Sequence, residues 1–170
     1  PMTVGRDGEY PTLEAALRVA ADRGGDIRIA VTSDLPGEAI RITWPVRFTS
    51  LDISGASGRP VMDGATIPGR TWLEIIAAQG RPTNISIHGL TVMNYSTAVS
   101  ISGARDRPDD GWNAGNRIYD MEFRNIGARG GAPPSTAVIR LVNSRGNIIS
   151  DNLFIDVFNE GSCALIHAIY

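Results

Sequence analysis

The sequence predicts an all-β protein, a right-handed parallel β-helix in which each turn of the chain stacks its strands on those of the turn before. Three observations support this fold class: short β-branched runs between 19 glycines and 10 prolines, an internal repeat with a fixed period, and one amphipathic helix near the start. The 170 residues are enough for a single domain with a sizeable core.

Strands are predicted wherever a short run of β-branched residues is bounded by turn residues. In the first half of the chain these runs are residues 27–31, 40–43, 46–49 and 72–76. None of them is long enough to span a membrane.

The internal repeat has a period of 31 residues. Three windows, SIHGLTVMNY, RIYDMEFRNI and IISDNLFIDV, begin at residues 86, 117 and 148 and superpose without gaps. The positions that match are Ile87, Ile118 and Ile149, then Val92, Phe123 and Phe154, then the polar set Asn94, Asn125 and Asp156. Apolar and polar residues alternate within each window, which indicates strands and excludes helical repeats. A fixed period of this length indicates units that bury their apolar faces by stacking.

Each repeat predicts one coil of three strands. Two short strands are joined by a tight turn at Gly89, Asp120 or Asp151 and followed by a bend at the polar set. The third strands are predicted at residues 98–101, 137–141 and 164–169. At the bends, stacked side-chain amides would satisfy each other's donors and acceptors along the stack.

One helix is predicted, at residues 12–23. Thr12 can cap its start, and Gly24 and Gly25 end it. The apolar residues of its single stripe are Leu13, Ala16, Leu17 and Ala20. We expect this helix to lie across the open end of the stack, so that residues 1–25 form an N-terminal cap and residues 26–170 the coils of one β-helix domain.

The opening segment, TVGRDGEYPTLEAALRVAADRGGDIRIAV, resembles the capping segment of the pectate-lyase-like superfamily of right-handed β-helices, and the resemblance covers nearly the whole chain. That superfamily holds polysaccharide lyases, glycoside hydrolases, pectin methylesterases and non-enzymatic adhesins, so the resemblance implies a fold more strongly than a function. The chain lacks the glutamine and aspartate motifs of the methylesterases. The resemblance also implies an extracellular or periplasmic location. The first residues, PMTVGRDGEY, have no signal-peptide pattern, so any targeting segment is expected to have been removed or never to have existed.

Composition limits the partners. A formal net charge of −2 and scattered basic residues argue against nucleic acid, and no apolar run reaches the length of a membrane helix. Cys163 has no partner for an internal disulfide, and its apolar neighbours predict a buried thiol.

The resemblance implies a ligand groove along the outer surface of the first strand of each coil. Alternation places His88, Tyr119 and Ser150 outward in one column, with Arg117 beside them. We assign His88, Arg117 and Tyr119 as candidate catalytic residues: a base beside a uronate carboxylate, an arginine that binds it, and a neighbouring aromatic. A polar column that only solvates the sheet is the structural alternative.

The polar loop at residues 103–116 is predicted to overhang this groove. Asp106, Asp109, Asp110 and Trp112 are its candidate substrate-binding residues, because carboxylates bind sugar hydroxyls and an indole offers a flat face to a sugar ring. Asp109 or Asp110 with Asp120 is the local pair of carboxylates that hydrolysis would require. The tryptophan could equally plug the stack.

Asp120 and Asp151 share one repeat offset and are candidate ligands of a calcium ion. The competing interpretation is structural, because aspartates in turns bond their own backbone. Two carboxylates alone do not complete a calcium shell.

Leu153 and Ile155 replace the charged Glu122 and Arg124 of the previous coil, which predicts an apolar patch that something covers. The pattern also runs to Tyr170 without a polar cap, so a homo-oligomer or a further C-terminal segment is expected to cover that end. Residues 127–134 are expected to form a flexible bulge without chemistry.

The leading hypothesis is a carbohydrate-active β-helix protein, a polysaccharide lyase or a glycoside hydrolase that acts on an acidic polysaccharide. The alternative is a non-catalytic β-helix, a surface, adhesin or oligomerisation module that displays its loops.

Overall fold

The computed structural model describes residues 1–162 and 164–170 and consists mostly of parallel β-strands, with one short helix. The buried thiol predicted for Cys163 lies outside the described residues. In chain order, the elements are β1 (Met2–Val4), α1 (Leu13–Arg23), β2 (Gly25–Val31), β3 (Ile40–Thr43), β4 (Phe48–Gly55), β5 (Val61–Asp63), β6 (Thr71–Ile76), β7 (Ile85–His88), β8 (Thr91–Met93), β9 (Thr97–Ser102), β10 (Asn113–Ala114), β11 (Arg117–Tyr119), β12 (Glu122–Arg124), β13 (Ala137–Val142), β14 (Ser144–Arg145), β15 (Ile148–Ser150), β16 (Leu153–Ile155) and β17 (His167–Ile169).

The strands form three large sheets and one small one. Sheet A has the order β1-β2-β4-β7-β11-β15, sheet B the order β16-β12-β8-β5, and sheet C the order β17-β13-β9-β6-β3. The fourth sheet pairs β10 with β14. Every pairing among the named strands is parallel, as the sequence predicts.

The 31-residue repeat sets the register of the later strands of sheets A and B. Ile118 pairs with Ile87 on one side and with Ile149 on the other. Phe123 pairs in the same way with Val92 and Phe154. Strands β7, β8 and β9 therefore enter sheets A, B and C, and the sets β11 to β13 and β15 to β17 enter the same sheets in the same order, with β10 and β14 of the fourth sheet between the sets. This arrangement is compatible with a parallel β-helix.

The core lies between the sheets and contains the apolar set of each repeat. Ile87, Ile118, Val92 and Phe123 are all buried, and the ring of Phe123 stacks on that of Phe154 with centroids 5.2 Å apart. The positions that the sequence predicts to face the core are thus the ones that are buried.

Helix α1 begins after Thr12, whose hydroxyl accepts a hydrogen bond from the backbone N–H of Ala15 at 3.1 Å. It ends at Gly24, where φ is 69°. The carboxylate of Glu38 adds a second cap, since it accepts from the backbone N–H groups of Leu13 at 3.1 Å and Glu14 at 3.0 Å. Burial raises the pKa of the Glu38 carboxyl. The predicted apolar stripe of the helix is buried, and the helix packs on β1 and β2.

A ladder of polar side chains follows sheet B at the predicted bend. Asn94 Nδ2 donates to Asp63 Oδ1 at 2.6 Å, and Asn125 Nδ2 donates to Asn94 Oδ1 at 2.5 Å. Asn94, Asn125 and Asp156 all have positive φ, between 51° and 63°, a region that asparagine and aspartate tolerate better than most residues. The predicted amide stacking is confirmed for Asn94 and Asn125, which are half-buried rather than fully buried.

Two predicted strands have different bounds in the structure. Of residues 46–49, only 48 and 49 lie in a strand: Phe48 N donates to Pro45 O at 3.0 Å, which closes a tight turn, and β4 begins at Phe48. Val46 in that turn is 81% exposed. The last third strand is also shorter than the predicted 164–169 and covers only His167–Ile169.

Apolar side chains are exposed on the outermost strands and on the segments that join them. Leu153 is 52% exposed, as predicted, whereas Ile155 is half-buried. The other large exposed hydrophobic residues of this region are Ile148, Phe158, Leu165, Ile169 and Tyr170. Residues 127–134 lie in a loop. In the described ranges, no helix combines the length and the apolar character that crossing a membrane requires.

Candidate functional site

The outer face of sheet A carries two columns of polar side chains. In one column, Asp52 of β4 is in register with Arg28 of β2 and with Ser86 of β7, and Ser86 with Arg117 of β11. In the other, His88 is in register with Tyr119. Outward residues alternate with buried ones such as Leu51 and Ile53, which is why these side chains share a face.

The two columns meet at a hydrogen bond between His88 and Asp52. The imidazole Nε2 lies 3.1 Å from the carboxylate Oδ1, and the two side chains are 27% and 36% exposed. Because an ionised carboxylate only accepts hydrogen bonds, Nε2 of the neutral ring carries the proton and Nδ1 is the acceptor. The pair therefore fixes which ring nitrogen can take up a proton.

Tyr119 covers the imidazole of His88. The two rings are stacked, with centroids 4.5 Å apart and planes inclined by 12°. The guanidinium carbon of Arg117 lies 5.5 Å from the centre of the Tyr119 ring, within range of a cation–π contact. Asp52 and Tyr119 thus hold the ring plane of His88 from two sides.

These residues line an open depression of about 390 Å³ on sheet A. Its lining residues are Arg28, Ser50, Leu51, Asp52, Asn84, Ser86, His88 and Tyr119. The exposed Arg28 is one of these lining residues, and the exposed Arg117 lies outside the lining, beside Tyr119.

A buried polar network fixes the entry of the chain into β7 and β11. Asn116 Oδ1 accepts from Thr83 Oγ1 at 2.7 Å and from the backbone N–H of Ile85 at 3.2 Å. Asn116 Nδ2 donates to Asn113 Oδ1 at 2.8 Å and to Asn147 Oδ1 at 3.0 Å. Because these groups are satisfied inside the protein, the network is structural and holds the strands that present His88 and Tyr119.

Of the residues that the sequence analysis selects for this site, His88 and Tyr119 line the depression, and Arg117 contacts Tyr119. The loop residues Asp106, Asp109, Asp110 and Trp112 are not among the lining residues. The Arg145 guanidinium lies 4.9 Å from the Trp112 ring and donates to Pro108 O at 2.7 Å, and Asp110 lies 3.6 Å from Arg107. The loop is therefore held by a contact within itself and by Arg145 of β14.

Asp120 and Asp151, the candidate metal ligands, lie in the turns predicted for them, with φ of 50° and 55°. Arg59 donates to both the carboxylate and the backbone oxygen of Asp120, each at 2.5 Å. Over residues 1–162 and 164–170, no group of three or more His, Cys, Asp or Glu side chains converges in a way that could hold a metal ion.

The sequence analysis missed Asp52 and Arg28. Both precede the 31-residue repeat: 34 residues separate Asp52 from its partner Ser86, and 24 separate Arg28 from Asp52. The signal that could have found them is the alternation in Ile27 to Ile29 and in Leu51 to Ile53, which places one polar residue outward between two buried ones.

The chemistry available in this depression is proton transfer beside a bound anion. His88 offers an oriented proton acceptor, and Arg28 and Arg117 offer permanent positive charge. One carboxylate, Asp52, is present in the lining, and it is engaged by His88.

Comparison with known proteins adds no assignment, because no family model, no curated protein and no solved structure matches the chain.

Proposed function

We propose that the three large sheets are the faces of a right-handed β-helix of the pectate-lyase-like type, and that the sheet A depression binds an acidic polysaccharide and cleaves it by β-elimination. The observation that carries the functional proposal is the Asp52–His88–Tyr119 arrangement between two arginines. The solenoid is supported by the repeated order in which the chain enters sheets A, B and C.

The substrate class follows from two arginines, Arg28 in the lining of the depression and Arg117 beside it. Arg28 and Arg117 occupy the same column, three strand steps apart, which corresponds to about 14 Å between their backbones. An extended polymer with a carboxylate on successive sugar units can contact both arginines at once. A single small acid can contact only one of them.

In the reaction, Nδ1 of His88 removes the proton from the carbon beside a uronate carboxylate. The electron pair forms the new carbon–carbon double bond, the glycosidic oxygen leaves with its bonding pair, and water supplies the proton that this oxygen takes up. Arg117 binds the uronate carboxylate, which stabilises the charge that develops beside it. Asp52 and Tyr119 keep Nδ1 turned toward the substrate.

Elimination is favoured over hydrolysis by the number of carboxylates. Glycoside hydrolysis uses two carboxyl groups about 5 to 9.5 Å apart, one of which must be free to act as an acid. The lining of the depression supplies Asp52 alone, and His88 already binds it.

The test is to incubate the protein with polygalacturonate and with alginate, with and without calcium, and to follow the ultraviolet absorbance of unsaturated products. We expect product from the native chain and a loss of about 10² to 10⁴-fold in His88→Gln, the usual contribution of a general base. Arg117→Ala should weaken substrate binding, whereas Arg140→Ala, on the outer face of sheet C, should not.

Binding measured by calorimetry separates the two hypotheses. Uronate binding that depends on Arg117 but gives no unsaturated product would support the non-catalytic alternative, a surface or adhesin module. Absence of both binding and product would overturn the proposal.

A further inference from the structure

A second cleft lies at the bend that follows sheet B, between the loops at residues 64–70 and 127–134. It encloses about 250 Å³. Its lining residues are Gly64, Ala65, Pro68, Gly69, Asn94, Asn125, Gly127 and Arg129. We call it the ladder cleft, because two rungs of the asparagine ladder form part of its wall. It shares no lining residue with the sheet A depression.

The ladder leaves one acceptor without a donor at this cleft. Each amide donates toward the start of the chain, from Asn125 to Asn94 and from Asn94 to Asp63. The next rung is Asp156, and an ionised carboxylate has no N–H or O–H to give. Within the described part of the chain, no donor reaches Asn125 Oδ1, so this oxygen is open to a ligand.

Arg129 supplies donors on the same cleft. Its guanidinium carbon lies 3.4 Å from the centre of the Phe158 ring, and its Nη2 donates to Asp156 O at 3.2 Å. These two contacts hold the group in place but use few of its N–H bonds. Its Nε is buried, so the donors that a ligand could reach are the N–H groups of the two Nη atoms.

We propose that the ladder cleft binds a single neutral pyranose ring of a saccharide. A sugar hydroxyl both donates and accepts, so neighbouring hydroxyls can donate to Asn125 Oδ1 and accept from the Arg129 guanidinium. Ala65 and Pro68 supply apolar lining against which the C–H face of the ring can pack.

A carboxylate is the wrong ligand for this cleft, although Arg129 could pair with one. It would bring negative charge toward Asn125 Oδ1 and toward the nearby Asp156, both of which are acceptors. The ladder cleft therefore differs in ligand chemistry from the sheet A depression, for which an acidic polymer is proposed. The two assignments do not depend on each other.

The probes are the methyl α-pyranosides of glucose, galactose and mannose, with galacturonate as the charged comparison. Titration is followed by amide chemical shifts in a ¹H–¹⁵N spectrum. We expect saturable shifts at Ala65, Asn125, Gly127 and Arg129 with at least one neutral glycoside, and weaker binding of galacturonate at these amides.

Two variants test the site in different ways. Ala65→Phe places an aromatic ring in the cleft from an exposed loop position, and Arg129→Lys keeps the charge but loses the planar donors. Each should weaken glycoside binding by about tenfold or more, the effect of losing a charged hydrogen bond or of steric exclusion. The matched control, Ala56→Phe, is at an exposed position outside both sites and should bind as the native chain does.

The proposal is overturned if no neutral glycoside produces saturable shifts at these amides, if Ala65→Phe binds normally, or if galacturonate binds there more tightly than the glycosides. If the elimination reaction is not observed, these titrations still test the ladder cleft, because His88 does not line it.

Discussion

The imidazole Nε2 of His88 lies 3.1 Å from the carboxylate Oδ1 of Asp52, although the two residues are not direct partners in the sheet. Asp52 pairs with Ser86, two residues before His88, so the bond runs diagonally between β4 and β7. A diagonal bond of this kind fixes both the position of the imidazole along its strand and the nitrogen that carries its proton.

The first prediction concerns this bond. In Asp52→Asn, the amide nitrogen can donate to Nε2, which would favour the ring tautomer with the proton on Nδ1 and remove the proposed base. We expect elimination to fall by about 10²-fold or more. The free energy of unfolding should change by about 1 kcal/mol or less, because the pair is partly exposed.

Asp26→Asn is the matched control, since Asp26 lies on the same face and bonds Ser50 at 2.7 Å without touching His88. Steady-state elimination rates and urea unfolding should be measured for both variants. Equal rates for Asp52→Asn and the native chain would remove Asp52 from the mechanism.

The sequence predicted the later strands of sheets A and B well because the step between matching residues is constant there, whereas in sheet C Val99 pairs with Ile139 and Ile139 with Ile169, at unequal steps. With a constant 31-residue step, matching residues such as Ile87 and Ile118 must become partners, and the observed register is the predicted one. The asparagine ladder follows from the same step.

The site was only partly predictable, and the reason is again the spacing. Asp52 lies before the repeat, where partners are 24 residues apart (Arg28 and Asp52) and then 34 (Asp52 and Ser86). Because these steps are unequal, the sequence does not predict that Asp52 lies beside His88. The loop of Asp106 to Trp112 has no period at all. Its path depends on bonds such as that from Asn143 Nδ2 to Ala104 O, which no local pattern encodes.

The second prediction tests the core. Phe123 is fully buried and stacks on Phe154, so Phe123→Ala should lower the free energy of unfolding by about 3 to 5 kcal/mol. Val46→Ala is the control, because that side chain is 81% exposed and its removal should change stability by less than about 0.5 kcal/mol. Urea unfolding gives both values, and similar values for the two variants would contradict the assignment of Phe123 to the core.

The third prediction separates the two roles of Asn94, whose φ is 63° and whose amide bonds both Asp63 and Asn125. Asn94→Gly tolerates the positive φ without strain and removes only the amide, which should lower the free energy of unfolding by about 1 to 3 kcal/mol. Asn94→Ala adds backbone strain and should cost about 1 kcal/mol more. If both variants have the same urea midpoint of unfolding as the native chain, the ladder contributes nothing to stability.

The fourth prediction concerns the exposed apolar residues of the outermost strands, which include Ile148 and Leu153. Exposed apolar surface beside unpaired strand edges favours association, so light scattering should show a mass that rises with protein concentration. Leu153→Glu should lower that association, whereas Val46→Glu, far away in a turn, should not. A concentration-independent monomer mass for the native chain would rule the association out.

The last prediction uses the phenol of Tyr95, which is 1% exposed and accepts a hydrogen bond from the backbone N–H of Glu38 at 3.1 Å. Burial raises the pKa of Tyr95 from 10.0 to about 12, and the nearby charges of Glu38 and Asp63 act in the same direction. The folded chain therefore favours the neutral phenol. The stability that this preference contributes is fully present below pH 10 and is lost as the pH rises through 12.

We expect the tyrosinate absorbance of Tyr95 to appear near pH 12, and this component should be absent from Tyr95→Phe. At neutral pH, Tyr95→Phe should unfold about 0.5 to 1.5 kcal/mol more easily, because the hydrogen bond is lost. Above pH 10 this difference should shrink. Ionisation of Tyr95 in the unfolded state lowers the free energy of unfolding of the native chain, and phenylalanine cannot ionise. Tyr170→Phe, at a half-exposed position, should leave the tyrosinate absorbance near pH 12 unchanged. A Tyr95 titration complete near pH 10 would show that the phenol is not desolvated in solution.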